Sequence, residues 1–434
     1  MDPSDGGKDG APQAEDAAPQ TQAAAPQTQT QTQAEAVAER HAGWNELFFD
    51  LVVVAGVSRL AHLLHEGPDP ADLALYLVLY LAFWVVWSSF AVYGNIAAEQ
   101  TRTRNLLLAM LGMAVMAASV SGLHASGDVQ AVAFVAAYVA LRWFAGRVWK
   151  RGQIVTDWPL AQLGLGATPW LISLLTPEPW RPWLWALGIA IDLVVLLTAS
   201  SDATVRNAAQ RYRRAVEHRG PPPGSPRDGQ QPVVAAAHTD SAHLAERLGL
   251  YVIIVLGEGL IQVIDAAADE EHWNLPLAAT GLGAFALLAA IWTLSLRYGY
   301  DGVPGLQAST LAPRYALFLH ALLTATLAAL AAALGLAVAH ADGPLPAGTR
   351  MLLCGAMTLY FLIGTGAALT RSHGRGRLLR VAVPCALVPV VLAAAGQQLP
   401  TPVLVWLLAA TVGGQILHHS RSSAALSSGL NAQA

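Results

Sequence analysis

The sequence predicts an all-α polytopic membrane protein, a transmembrane helical bundle of about twelve spans in two parallel six-helix repeats with a disordered N-terminal tail. Composition is the first reason: 54% of the 434 residues are hydrophobic and 12% are charged, against about 25% charged in soluble proteins. The second is a succession of apolar stretches long enough to cross a bilayer. The third is a set of features that recur about 200 to 210 residues later in the chain.

The N-terminal segment, residues 1–40, repeats Ala-Ala-Pro-Gln-Thr-Gln and continues as a Gln-Thr run. Such a segment buries too little apolar surface to offset its ordering entropy, so we expect a disordered cytoplasmic tail. No charged and apolar leader with a small-residue cleavage site precedes the first apolar stretch. We therefore expect that stretch to be retained as a membrane helix.

The remaining chain divides into a first transmembrane repeat at 41–200, a basic cytoplasmic linker at 201–242, a second repeat at 243–419 and a short cytoplasmic tail at 420–434. The fifth and sixth spans are the weakest, because Pro169 interrupts one and a proline-rich connection joins them. The spans are predicted at about 47–65, 72–93, 105–124, 129–148, 158–175, 182–200, 243–264, 276–296, 314–340, 350–370, 378–396 and 401–418.

Arginine and lysine residues set the expected orientation. They concentrate on alternate loops, including the linker, whereas the opposite loops hold Arg181 and Arg350 and an acidic run at residues 269–271. Because positively charged loops stay in the cytoplasm, both termini are predicted to be cytoplasmic, in a cytoplasmic (inner) membrane.

The repeat prediction rests on three features that recur in the same order. Together they indicate parallel repeats related by an axis along the membrane normal, an arrangement that several transporter folds use. The recurring features are His41 and Glu46 with His243 and Glu246, then Trp87 and Tyr93-Gly94 with Trp292 and Tyr298-Gly299, then Arg104 with Arg314.

The seventh span carries an unusual set of polar residues. His243, Glu246, Arg247 and Glu258 lie within about one half of the helix surface, and Glu258 is about 18 Å along the axis from Glu246. An ionisable group at that depth is costly and usually faces a partner or a water-filled cavity. The span is therefore the first candidate for a functional site.

The first span is its counterpart. Glu46 and Asp50 are four residues apart and stack on one face. They could simply favour a helix N-terminus, where carboxylates interact well with the backbone dipole. Arg59 lies further along the same helix, and we predict that it pairs with Glu258 across the repeat axis, since an unpaired charge at that depth would be costly.

Several other apolar spans each contain isolated ionisable residues. Asp192, near the centre of the sixth span, is a further candidate, with a structural hydrogen bond as the alternative. Arg142 is expected to snorkel to the cytoplasmic surface. His62, His65 and His320 are expected to be packed or interfacial histidines, because none has a second ligand at helical spacing.

Two blocks of sequence resemble a known family. They are Trp44-Asn-Glu-Leu-Phe-Phe-Asp-Leu51, and His243-Leu-Ala-Glu-Arg247 followed by Ile253-Ile-Val-Leu-Gly-Glu258. Together they resemble the bacterial low temperature requirement A (LtrA) family of multi-spanning membrane proteins. The resemblance marks Glu46, Asp50, His243, Glu246, Arg247, Gly257 and Glu258 as motif residues. Gly259 departs from it, since a serine is common there, and the family has no settled biochemical function.

The expected activity is secondary transport of a small solute, with or without proton coupling, between the first and seventh helices. The alternatives are an intramembrane enzyme acting on a lipid-like substrate, and a non-transporting cold or stress factor. Phosphate loops, nucleophile elbows and metal-ligand clusters are absent from the sequence, so no cofactor, metal or catalytic residue is assigned. Apart from the bilayer, the solute and the proton, no partner is expected; the net charge of −4 gives no support for nucleic acid.

Overall fold

The computed structural model describes residues 42–64, 68–97, 102–123, 128–147, 153–155, 158–161, 164–199, 206, 210, 213, 214, 217, 218, 235–299, 312–371 and 375–431. The predicted disordered tail at 1–40 lies outside these residues, as does most of the predicted linker. The last helix runs to Asn431, so the predicted C-terminal tail at 420–434 is largely helical.

Helices make up almost all of the described chain. In chain order they are α1 Trp44–Ala61, α2 Pro70–Ala97, α3 Thr103–Val120, α4 Asp128–Arg147, α5 Ala167–Ser173, α6 Arg181–Thr198, α7 Ser241–Ala268, α8 Leu275–Trp292, α9 Pro313–Ala339, α10 Ala347–Arg371, α11 Arg375–Ala395 and α12 Thr401–Asn431. A π-helical turn, Thr293–Arg297, extends α8. Two short strands, β1 Gln153–Val155 and β2 Ala235–Ala237, pair in parallel.

Ten helices among the described residues are long and apolar enough to cross a membrane. The predicted count of twelve spans is not confirmed. The fifth predicted span contains a seven-residue helix, α5, because Gly164, Gly166 and Pro169 favour turns over a continuous helix. The eleventh forms α11, which carries Pro384 and Pro389 in its interior. Its apolar part, Val383–Gln398, is shorter than the ten spans.

The centre of the bundle is formed by α2 and α9, which are buried along most of their length. Small residues let neighbouring helices approach closely. A Cβ added at Gly335 of α9 would lie 3.1 Å from the Gln262 carbonyl oxygen of α7. A Cβ added at Gly56 of α1 would lie 2.6 Å from the Phe83 ring of α2. Larger side chains at these positions would push the helices apart.

The outer surface is strongly apolar. One face of α3 exposes a row of leucine and valine side chains, and similar rows lie on α7 and α11. A surface of this kind is stable against acyl chains and not against water. Exposed tryptophans lie near the helix ends, as in an interfacial belt: Trp44, Trp143, Trp180, Trp183, Trp273 and Trp292.

Capping residues fix the start of the two helices after the linker. The Asp240 carboxylate accepts hydrogen bonds from the backbone nitrogens of Ala242 and His243, which caps α7. The Asn274 side chain accepts from the Leu277 nitrogen and caps α8. A side-chain cap satisfies backbone donors that a helix leaves unpaired in its first turn. The cap of α7 positions the polar residues that follow it.

Candidate functional site

A buried ion pair joins the first helix of each half. Asp50 of α1 and Arg247 of α7 are both fully buried, and Arg247 Nη2 lies 2.5 Å from Asp50 Oδ1. The indole nitrogen of Trp87, on α2, donates to the same carboxylate oxygen at 2.6 Å. Because the nearby residues Glu46 and His243 pair in the same way, α1 and α7 start at the same end of the bundle. The predicted approach of the first and seventh spans is thus present.

Glu46 and His243 extend the ion pair towards the helix starts. His243 Nε2 lies 3.2 Å from Glu46 Oε2, and Arg247 Nη1 lies 3.6 Å from Glu46 Oε1. A further neighbour of the carboxylate is the Gly43 backbone, which donates to Oε2 at 3.0 Å. The spacing of four residues on each helix, 46 to 50 and 243 to 247, puts each pair on one face. We call Glu46, Asp50, His243 and Arg247 the charged cluster.

Asn95, near the end of α2, fixes the protonation state of His243. The Asp240 nitrogen donates to Asn95 Oδ1 at 2.8 Å, and Asn95 Nδ2 donates to the Asp240 carbonyl at 2.9 Å. These two backbone bonds define which end of the amide is nitrogen. Asn95 Nδ2 also lies 3.1 Å from His243 Nδ1, which must therefore accept. The imidazole is thus neutral, with its proton on Nε2, facing Glu46.

The charged cluster holds unsatisfied polar atoms. Asp50 Oδ2, Arg247 Nε and Arg247 Nη1 are buried and have no hydrogen-bond partner among the residues that the structure describes. Buried polar atoms of this kind are rare in folded proteins and indicate a strained or functional site. With both carboxylates ionised, Arg247 positive and His243 neutral, the cluster carries one net negative charge. The unsatisfied atoms of Asp50 and Arg247 are available to a bound group.

A column of aromatic side chains continues from the charged cluster into the bundle. The ring of Trp87 lies 4.4 Å from that of Tyr251 and stacks on His320 at 5.7 Å. Trp84 Nε1 donates to His320 Nδ1 at 3.3 Å, and His320 Nε2 lies 3.1 Å from the Leu248 carbonyl oxygen. Since indole nitrogen donates and carbonyl oxygen accepts, His320 is also neutral with its proton on Nε2. It is packed, as predicted.

The column ends at two tyrosines of α2. The hydroxyl oxygens of Tyr80 and Tyr251 lie 3.4 Å apart, and the Tyr76 hydroxyl donates to the Ala325 carbonyl oxygen at 2.8 Å. Tyr76 and Asn95 are 19 residues apart on one helix, which corresponds to about 28 Å. Buried polar side chains thus follow α2 across most of a bilayer core.

Four predicted residues lie outside the charged cluster, and Asp192 and Glu246 are two of them. Asp192 of α6 pairs with Arg142 of α4 at 2.9 Å and lies 3.3 Å from the Tyr138 hydroxyl. This neutral pair corrects the expectation that Arg142 snorkels, since both side chains are almost fully buried. Glu246 is half-buried and directly precedes Arg247, so it faces about 100° away from it. A role for Asp192 or Glu246 in a pathway stays a prediction.

The predicted ion pair between Arg59 and Glu258 is wrong. Arg59 is exposed in the last turn of α1, nine residues and about 180° around the helix from Asp50. There it can reach the interface and interact with the negative helix end. Glu258 is 7% exposed and accepts a hydrogen bond from Gln262 Nε2 at 2.7 Å. The described partner of Glu258 is therefore an amide on the same helix and not Arg59.

Several site residues have no strong signal in the sequence. Asn95 and Asp240 fix His243, and a Cβ added at Gly94 would lie 2.6 Å from Glu46 Oε1. In the sequence, Trp87 is a repeat marker and not a candidate site residue. Its suggested counterpart differs, since Trp87 is buried and Trp292 is 46% exposed. The sequence marks Gly94 and Asn95 only as a glycine and an amide at the end of an apolar span.

Comparison with known families matches residues 41–414 to Bacterial low temperature requirement A protein (LtrA). The chain belongs to the LtrA family. An uncharacterized protein of Rhizobium meliloti (strain 1021) is 26% identical over 240 residues, which are 53% of this chain and 52% of that protein. The match thus spans about half the length of that relative. No solved structure matches the chain. The LtrA match includes all four residues of the charged cluster. The described residues contain no group of three or more His, Cys, Asp or Glu side chains that could bind a metal ion.

Proposed function

We propose that this LtrA protein is a secondary transporter that moves a small solute in exchange for, or together with, a proton. The pathway runs between α1, α2, α7 and α9, and the charged cluster is its binding site. One observation carries this proposal. Two carboxylates, a guanidinium and an imidazole are fully or nearly fully buried where the two halves meet, and Asp50 and Arg247 retain unsatisfied atoms. Ionisable groups buried in a membrane bundle commonly form ion or proton pathways.

The packing of the two halves supports the proposed internal repeat. In the first half α1 packs on α2 and α3, α3 on α4, α5 on α6 and α2 on α6. In the second half α7 packs on α8 and α9, α9 on α10, α11 on α12 and α8 on α12. Each of these pairs has its counterpart six helices later, which is expected of duplicated six-helix units, whereas the contact of α2 with α4 has no counterpart of similar extent among the described residues. We therefore propose twelve crossings, with α5 and α11 as irregular ones.

The proposed setting is the bacterial inner membrane, with both termini in the cytoplasm. Arginines that support this orientation lie at helix ends on the proposed cytoplasmic side. Arg147 is the last residue of α4, and Arg297 ends the π-helical turn that extends α8. The charged cluster then lies close to the cytoplasmic surface, at the starts of α1 and α7. A fluorescent protein fused to the C-terminus should fold and fluoresce, whereas an exported fusion would not.

Transport can be tested before the solute is identified. Purified protein is reconstituted into liposomes that contain a pH-sensitive dye, and pools of amino acids, sugars, organic acids and amines are added outside. We expect one pool to change the internal pH, and the same pool to raise the thermal stability of the detergent-solubilised protein, since a ligand stabilises the state it binds. A folded protein that responds to no pool in either assay would contradict the proposal. Turnover of added lipid extract without any gradient would favour the alternative function, an intramembrane enzyme that acts on a lipid-like substrate.

The chain offers a matched control. Asp50→Asn and Asp192→Asn each remove one carboxylate from a buried arginine pair, so both variants should lose stability, and Asp192→Asn at least as much, because Arg247 still pairs with Glu46. Only Asp50→Asn changes the charged cluster. We expect it to abolish the solute-dependent pH change while Asp192→Asn retains it. If both variants lost the solute-dependent pH change equally, the buried charges would have a structural role instead.

A further inference from the structure

The end of α2 is attached to the start of α7 through one side chain. The Asn95 amide makes two backbone bonds to Asp240, the residue that caps α7, and its second N–H points at His243 Nδ1. Asn95 is 3% exposed and His243 is fully buried. The three groups form a closed contact between the two halves at the end of the bundle where the charged cluster lies.

Protonation of His243 is incompatible with this contact. An imidazolium donates from both ring nitrogens, so Nδ1–H would face the N–H of Asn95. Turning the amide by 180° would present Oδ1 to the imidazolium. It would also place nitrogen against the Asp240 N–H and oxygen against the Asp240 carbonyl. Both backbone bonds to Asp240 would then be lost. The neutral imidazole and the closed contact therefore require each other.

The surroundings of His243 favour proton uptake on charge grounds. Glu46 and Asp50 of α1 and Arg247 of α7 surround the imidazole, and α2 contributes the neutral Asn95 and Trp87. The exposed Asp240 carboxylate caps the start of α7 and accepts from the His243 backbone nitrogen. His320 of α9 lies beyond Trp87 and is held neutral by its own contacts. One added proton would cancel the net negative charge of the charged cluster, and buried charge is costly unless balanced.

We propose that the Glu46–His243 pair is the proton-binding site of this transporter, and that Asn95 couples its occupancy to the contact between α2 and α7. A proton from water binds His243 Nδ1, the imidazolium pairs with Glu46, and the amide of Asn95 releases Asp240. The start of α7 then separates from the end of α2, which opens the charged cluster to the cytoplasmic side. This inference rests on the proposed transport function, and Asn95 acts in it as a positioning residue.

The test uses full-length protein labelled with ¹⁵N-histidine in lipid, and it needs no solute. The His243 signal is assigned by its loss in His243→Gln. At alkaline pH we expect wild-type His243 to be the Nε2–H tautomer. Asn95→Leu should mix the two tautomers, and Asn95→Asp should increase the imidazolium signal at a given pH. The control is Asn105→Leu, which removes a buried amide of α3 that bonds to Tyr93. Nδ1–H in the wild type, or no change in either Asn95 variant, would overturn the proposal.

Backbone hydrogen exchange tests the opening separately. After correction for the intrinsic pH dependence, protection of residues 238–246 should fall about tenfold as His243 becomes protonated, as expected when two hydrogen bonds break. The capped start of α8 at Asn274 should keep its protection. A protonated His243 with unchanged protection would refute the coupling through Asn95. If solute assays fail while both spectroscopic results hold, the transport proposal fails and the proton switch stands.

Discussion

Removing one charge of the Asp50–Arg247 pair should destabilise the protein strongly, and removing both should cost no more than removing Arg247 alone. The variants are Asp50→Asn, Arg247→Met and the double variant. Asparagine keeps the shape of the carboxylate and an oxygen for Trp87, and methionine retains an unbranched apolar chain of similar reach. The perturbation is thus confined to charge and its hydrogen bonds.

The magnitudes follow from the geometry. At 2.5 Å and an effective dielectric constant of about 20, the Coulomb attraction is about 7 kcal/mol, part of which is offset by desolvation of both groups. Asp50→Asn leaves Arg247 paired with Glu46 at 3.6 Å, so its cost should be near the lower end of the range for broken buried pairs, about 3 kcal/mol. Arg247→Met leaves two carboxylates without a cation and should cost about 5 kcal/mol.

The double variant should be about as stable as Arg247→Met, which gives a coupling energy of about 3 kcal/mol. The assay is reversible unfolding in mixed micelles, followed by helical circular dichroism, for the wild type and the three variants. The Asp192→Asn and Arg142→Met pair provides a second cycle of the same kind at a distant site. Additive effects of Asp50→Asn and Arg247→Met would mean that the two side chains do not interact as the structure indicates.

Three further predictions concern the surroundings of the charged cluster. Gly94→Ala should lower transport and reduce the free energy of unfolding by about 1 to 3 kcal/mol, because the new methyl group would lie 2.6 Å from Glu46 Oε1 and displace the carboxylate. Uptake assays measure the first effect and thermal unfolding the second. Trp87→Phe should cost about 2 kcal/mol, since Asp50 loses a hydrogen bond to its charged carboxylate; unfolding in mixed micelles measures it. Arg59→Gln should change stability by less than about 0.5 kcal/mol and leave uptake unaltered, because Arg59 is exposed.

The Gly94 and Trp87 substitutions each have a control. Gly257→Ala adds a methyl group to open space and should be neutral or slightly stabilising. Trp185→Phe removes an indole that donates to the neutral Ser173 hydroxyl at 2.9 Å, so it should cost about 1 kcal/mol and leave uptake intact. If Gly94→Ala behaved like Gly257→Ala, the close approach of α2 to Glu46 would be incorrect. A large effect of Arg59→Gln would require a partner for Arg59 in the functioning protein.

The charged cluster was largely predictable, because ionisable residues within apolar spans are few and their spacing of four residues fixes a face. Glu46 with Asp50, and His243 with Arg247, start two helices that were expected to begin on the same side of the membrane. The residues that hold His243 in its neutral form, Asn95 and Asp240, were not predictable from the sequence. Asn95 and Asp240 are far apart in sequence, and an amide at a helix end carries no signal until the fold brings a backbone to it.

The errors have physical causes of the same kind. The Arg59–Glu258 prediction compared depth and not direction: Asp50 faces α7, and a residue nine positions later on the same helix faces about 180° away, where Arg59 is exposed. Pro169 marks the fifth span as weak in the sequence, but hydropathy over 158–175 does not show how short its helix is, and α5 has seven residues. Apolar composition predicts burial in a membrane more reliably than it predicts where a helix stops.

The position of the charged cluster explains how binding could move the two halves. Polar contacts between the halves in the described chain occur at the cluster, along the aromatic column, and at Arg314 and Tyr315, which bond to the last carbonyls of α6. A ligand shifts a conformational equilibrium only through contacts that differ between the two states. Because the cluster is itself a contact between α1 and α7, any proton or solute bound there must change the energy of the interface. A site enclosed within one half would lack this property, and the Asp192–Arg142 pair is such a site.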